Sequence, residues 1–196
     1  MKVTSLLKNG IAGVLLSFAL TPMPAGAVDW GPYATGGEGQ LKNNGNKLDY
    51  TGYGGGLQLQ STPETDEVFN YRLQLGYERI SYDIPGASKA KNDRFDMIHT
   101  FALGFVRTET VRLWLAPQIG LYYEQPAESG GDFHRIGGNI GPALGLDIHL
   151  GSAVTLAISA FGRYGIFSDS SGNTELSNAK KDGTEWEAGA NLALLF

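Results

Sequence analysis

From Thr184 to Phe196 the residues sort into two faces by alternation. Trp186, Ala188, Ala190, Leu192, Leu194 and Phe196 lie on one face, and Glu185, Glu187, Gly189 and Asn191 on the other. A period of two marks a strand that is apolar on one side and polar on the other. The same two-faced pattern recurs through most of the preceding chain, and no long window carries a 3.6-residue apolar period. The 28 glycines and 11% aromatic residues suit crowded sheet interiors and interfacial girdles, and are poor for helices. The chain therefore reads as all-β, with strands patterned like those of a transmembrane β-barrel.

The N-terminus sets the compartment. Lys2 and Lys8 precede an apolar run from Ile11 to Leu20, then Pro22, Pro24 and Ala25-Gly26-Ala27. This is the pattern of a secretory signal peptide, expected over residues 1–27 with cleavage before Val28. The run falls short of the roughly 20 apolar residues a spanning helix needs. The barrel domain is expected over residues 28–196, without Lys2 and Lys8, which lowers the formal charge of -5 by two. That acidity argues against nucleic acid as a partner. With no cysteine, neither a disulfide framework nor a lipid-anchored cysteine is expected.

Eight strands are expected near Trp30–Gln40, Asp49–Gln60, Val68–Tyr82, Asp93–Arg107, Thr110–Glu124, Arg135–Leu150, Val154–Phe167 and Thr184–Phe196. The first is diluted by Gly31, Gly36, Gly37 and Gly39. Connections alternate between short (61–67, 108–109, 151–153) and longer polar ones (41–48, 83–92, 125–134, 168–183), as inner turns and outer loops do. The lipid-facing residues of strands three to eight, among them alternate positions from Phe69 to Tyr77 and from Phe95 to Phe105, carry no charge. Shifting the parity by one residue would turn Arg72, Glu78, Asp96, Arg112, Glu124, Asp147, Arg163, Glu185 and Glu187 toward lipid. That would cost about 2 to 4 kcal/mol for each basic group near the midplane, so the parity is fixed.

The signal peptide, the eight two-faced strands, the alternating connections and the terminal Leu192-Ala193-Leu194-Leu195-Phe196 together resemble the OmpA/OmpX-type small outer-membrane barrels. The resemblance covers all of 28–196 and implies a barrel-only, monomeric member without cofactor, surrounded by outer-membrane lipid and lipopolysaccharide. It also implies that Leu192, Leu194 and Phe196 are read by the barrel-assembly machinery. The third residue from the end, often aromatic in such signals, is leucine here.

Opposed pairs set the register of the fifth and sixth strands. If residues whose numbers sum to 259 face each other, Glu124 meets Arg135, Arg112 meets Asp147, Tyr122 meets Gly137, Gln118 meets Gly141 and Trp114 meets Gly145. Charge meets opposite charge and bulk meets glycine. The lumen is then expected to be crossed by side chains, with Arg72, Glu78, Asp96, Arg112, Glu124, Arg135, Asp147, Arg163, Glu185 and Glu187 forming a paired plug. The competing reading makes those charges a selectivity path.

The same register sets Pro117 opposite Pro142 on the lipid face, a candidate lateral seam of the kind some outer-membrane enzymes and transporters use. Arg79, Lys89, Lys91 and Arg94, with Lys42, Lys47, Lys180 and Lys181, are expected on the outer rim, where they would meet lipopolysaccharide phosphates. Catalysis has little support. Asp147 and His149 share a face, but the nearest inward serine, Ser159, falls opposite Gly145, too far for a triad. There is no His-x-Ser step like that of the small lipid A deacylases, and no two histidines lie at metal-ligand spacing. No catalytic or metal residue is assigned.

Overall fold

The computed structural model describes residues 28–43, 45–61, 67–84, 86, 89–127, 134–151, 153–169 and 182–196. The expected signal peptide, Lys180, Lys181 and most of the 168–183 connection lie outside the described residues. Within them run β1 (Val28–Asn43), β2 (Asn46–Ser61), β3 (Phe69–Tyr82), β4 (Ala90–Arg107), β5 (Val111–Pro126), β6 (Arg135–His149), β7 (Thr155–Asp169) and β8 (Asp182–Leu195). Each pairs antiparallel with the next, and β8 pairs with β1, closing a barrel. Trp30 and Phe196 exchange backbone hydrogen bonds at the inner end of the closing seam.

One expected outer loop is a hairpin tip instead. β1 and β2 stay paired as far as Asn43 and Asn46, with Gly45 at a φ of 85° in the turn. The stretch 41–48 looks like a loop because it is mostly polar, but residues 41–43 and 46–48 belong to strands that run past the membrane. Every strand has 14 or more residues, more than the roughly 9 to 11 needed to span.

Strand pairing also fixes the tilt. A row starting at Pro32 passes through Leu57, Leu75, Met97, Leu121, Gly138, Ile166 and Thr184 and returns to β1 at Lys42, ten residues further on. A shear of ten in eight strands tilts them steeply, so each residue advances about 2.4 Å along the barrel axis. It also means that a row climbs outward by a little over one residue per strand. After allowance for that climb, Tyr53, Tyr77, Phe95, Tyr123, Tyr164 and Trp186 fall in one outer band, while Trp30, Phe69, Leu103 and Phe196 fall in an inner one. All of these but the partly covered Tyr123 are exposed on the wall. Eight to ten residues separate the bands, about 19 to 24 Å, close to the height of an outer-membrane apolar belt.

Outward positions between the bands carry no charge. The polar exceptions, Tyr71 and His99, satisfy each other through a 2.6 Å contact between the Tyr71 hydroxyl and His99 Nδ1. Above the outer band the wall is uneven. β1 to β4 present Glu38, Thr51, Arg79 and Asp93, whereas at the same height β5 to β7 present Ile136, Gly138 and Ile166.

Candidate functional site

The inward faces meet in three layers. The outermost is built around Glu124, which is fully buried and accepts from the Tyr82 hydroxyl (2.5 Å), Asn92 Nδ2 (2.6 Å), Arg94 Nη2 (3.1 Å) and Arg135 Nη1 (3.4 Å). Arg94 then crosses the barrel to Glu185 and Glu187, each at 3.3 Å. Arg163 holds the other oxygen of Glu187 at 3.0 Å, and Arg135 reaches Asp169 at 2.7 Å. The guanidinium planes also lie on rings: Arg94 over Tyr122 at 4.4 Å, Arg135 over Phe167 at 4.4 Å and Arg163 over Phe161 at 4.0 Å.

Glu78 and Asp96 lie at the lower edge of this layer. Both are buried, within electrostatic reach of Arg94 and Arg163, but neither joins an ion pair among the described residues. Six carboxylates (Glu78, Asp96, Glu124, Asp169, Glu185, Glu187) thus face three guanidinium groups (Arg94, Arg135, Arg163) within the outer layer.

The middle layer is uncharged. Gln74 donates to Gln58 at 3.0 Å, and Gln118 donates to Thr100 at 2.9 Å. These residues, with Ser159 and Asn191, surround a residual cavity of about 10 Å³. That is close to the smallest space that holds one water molecule.

The inner layer is a second ionic plug. Arg72 makes a two-pronged contact with Asp147 (3.1 and 2.5 Å), donates to Asn70 at 2.7 Å and lies over the Trp114 ring at 4.2 Å. Trp114 Nε1 donates to the same carboxylate at 3.1 Å.

The register sum of 259 is the one observed, with Glu124 opposite Arg135 and Arg112 opposite Asp147. Side chains at Gly137 and Gly145 would run into the rings of Tyr122 and Trp114, as expected from bulk facing glycine. At Gly141 the space is taken by the Gly162 carbonyl, not by Gln118.

Two site expectations need correction. Arg112 faces Asp147 but does not bind it: Arg72, on the far side of the lumen, takes that carboxylate, and Arg112 donates to the Glu67 and Val68 carbonyls at 2.9 Å each. Arg94 is not a rim cation. It shares parity with Asp96, points inward and is 1% exposed. Sequence position near a loop misplaced it, whereas strand parity would have placed it correctly. The other rim candidates are outside: Arg79 pairs with Asp93 at 2.7 Å, Lys89 with Asp83 at 2.8 Å, and Lys91 is exposed.

The proline pair needs relocation as well. Pro117 and Pro142 do face each other, but pairing across β5 and β6 is unbroken there. The interruptions lie one seam out on each side. In the β4/β5 ladder, pairing skips Phe101 and Ala102 against Ala116 and Pro117. In the β6/β7 ladder it skips Gly141 and Pro142 against Gly162 and Arg163. Each proline lacks its donor on the outer side of the hairpin, where the neighbouring strand loses a bond.

A closed wall, apolar outside over one belt and filled inside with paired charge, is the architecture of a small β-barrel of the outer membrane. Comparison with solved structures agrees. The outer-membrane protein OprG from Pseudomonas aeruginosa aligns over 86% of this chain and 92% of its own, with a TM-score of 0.55 and 10% identity. Neisserial surface protein A aligns over 85% and 98% (TM-score 0.48, 12% identity), and Ail of Yersinia pestis over 86% and 98% (TM-score 0.35, 14% identity). The likeness to OprG is one of fold. No family model and no curated protein matches the sequence.

Proposed function

We propose that this protein is a non-conducting structural barrel of the OmpA/OmpX type, without enzymatic activity, which works through its outer collar and loops. The observation that carries this reading is the filled lumen. Two ionic plugs enclose an amide layer whose free space is about 10 Å³, and a solute path needs far more. Outside, Arg79, Lys89 and Lys91 stand where lipopolysaccharide phosphates lie, and Leu192, Leu194 and Phe196 form the outward stripe that the assembly machinery would read. Current through refolded residues 28–196 in a planar bilayer tests the proposal. The wild type should carry no steady current, and Glu124→Ala should open intermittently. A steady ion-selective current in the wild type would show that the lumen itself is the working part.

The interrupted ladders beside Pro117 and Pro142 favour a second reading, lateral passage of lipidic molecules through the wall. Amide exchange tests it. Phe101 and Gly162, whose amides point across the gaps at Pro117 and Pro142, should exchange much faster than Leu115 and Leu144 if either gap opens, and equally slow exchange would exclude the idea.

A further inference from the structure

The lipid-facing wall carries one feature that neither the plug nor the collar explains. Between β5, β6 and β7 lies a groove of about 390 Å³, floored by Gly138 and walled by Ile119, Leu121, Ile140, Tyr164 and Ile166. Its volume falls in the range of small-ligand sites.

The fold does not require this hollow. Every other glycine on β5 and β6 is held by its surroundings: side chains at Gly120, Gly137, Gly141 and Gly145 would collide with Asn139, Tyr122, the Gly162 carbonyl and Trp114 respectively. At Gly138 a Cβ would sit 3.4 Å from Leu121 Cδ2 and 3.5 Å from the Gly120 carbonyl, which is ordinary contact. An apolar side chain would fit there and would cover its neighbours, yet the position is bare.

The groove's height identifies its occupant. Leu121, Gly138 and Ile166 are on one pairing row, at or just above the outer aromatic band, where β1 to β4 have already turned polar. This apolar lip is therefore bathed by the top of the outer leaflet. Tyr123 and His134, joined by a 2.7 Å contact between the Tyr123 hydroxyl and His134 Nδ1, stand at its outer end beside Ile136. A soluble ligand has no route to a site whose walls are bilayer-facing aliphatic chains. We infer that the groove binds one acyl chain of an outer-leaflet lipid as a discrete site, distinct from the lipid that coats the rest of the wall.

The absence of cysteine makes a clean test possible. Ile166→Cys at the groove wall and Phe95→Cys at similar height on β4 would each carry a bimane label. Each protein would be reconstituted in phosphatidylcholine vesicles containing increasing fractions of lipid with a nitroxide near the top of its acyl chain. Host and labelled lipids compete for the groove with like chains, so quenching at Ile166 should rise in simple proportion to the nitroxide fraction, as for one resident chain, whereas Phe95, touched by several exchanging chains, should be quenched more steeply. Gly138→Leu, which fills the floor, should bring the two curves together, and the smaller Gly138→Val should move them part of the way. Heat-modified gel mobility would check that each variant has folded. Coincident curves in the unfilled protein, or a difference that survives in folded Gly138→Leu, would overturn the inference.

Discussion

Asp147 shows how much of this protein depends on which of two arginines holds one carboxylate. Arg112 lies directly across the hairpin, but Arg72, reaching from β3, makes the two-pronged contact and stacks on Trp114. A double-mutant cycle should separate the two, read from urea unfolding in lipid vesicles. Arg72→Ala and Asp147→Ala should each destabilise by about 3 to 5 kcal/mol, the cost of stranding a buried partner. Their coupling should exceed about 1 kcal/mol, whereas Arg112→Ala and Asp147→Ala should add within about 0.5 kcal/mol. Facing positions on one hairpin are legible in a sequence, because a single sum relates them. A partner 75 residues away across a lumen is not, since nothing local encodes which inward side chain is long enough to meet it. Arg94 is obscured by a different cause: it lies two residues past the polar 83–92 stretch, and only parity with Asp96 marks it as inward.

Among the elements, the β5–β6 hairpin was the most readable and β1 the least. Glycine facing bulk is a complementarity of volume, and it survives translation into three dimensions: Trp114 fills the hollow at Gly145, and Tyr122 the one at Gly137. Gly145→Ala should therefore cost about 1 to 3 kcal/mol by overpacking, and Trp114→Leu should relieve most of that cost. The check is urea midpoints for both single variants and the double. Gly138→Ala, one residue from the hollow at Gly137 and facing the other way, should leave the midpoint nearly unchanged. β1 alternates just as strictly, with Tyr33 and Leu41 inward and Trp30 outward, but its glycines remove the side chains by which alternation is recognised. For the same reason nothing in the sequence around Glu38 marks it as pointing outward, above the aromatic band.

For the whole molecule, the charge balance of the lumen sets its polarity. Six carboxylates against three guanidinium groups leave the outer layer acidic, and a narrow low-dielectric passage magnifies such a surplus. Any current released by Arg94→Ala should therefore favour potassium over chloride, as read from the reversal potential in a potassium chloride gradient. Adding Glu78→Gln and Asp96→Asn should shift that potential toward zero. An anion-favouring current in Arg94→Ala would contradict the arrangement described. Neither number nor sign of these charges was hidden in the sequence, since parity alone turns them inward. Their sorting into two plugs around an amide layer depends on the shear, which only the complete set of strand pairings determines.

The closing seam has a consequence in time. It joins Tyr33–Lys42 to Thr184–Ala193, strands from opposite ends of the described chain, and until they meet β1 keeps an unpaired edge. In hydrocarbon an unpaired edge is intolerable, and closing so long a loop is slow. Insertion cannot proceed strand by strand through stable halves. The wall must be held together outside the apolar core until its final strand arrives, and then cross as one piece.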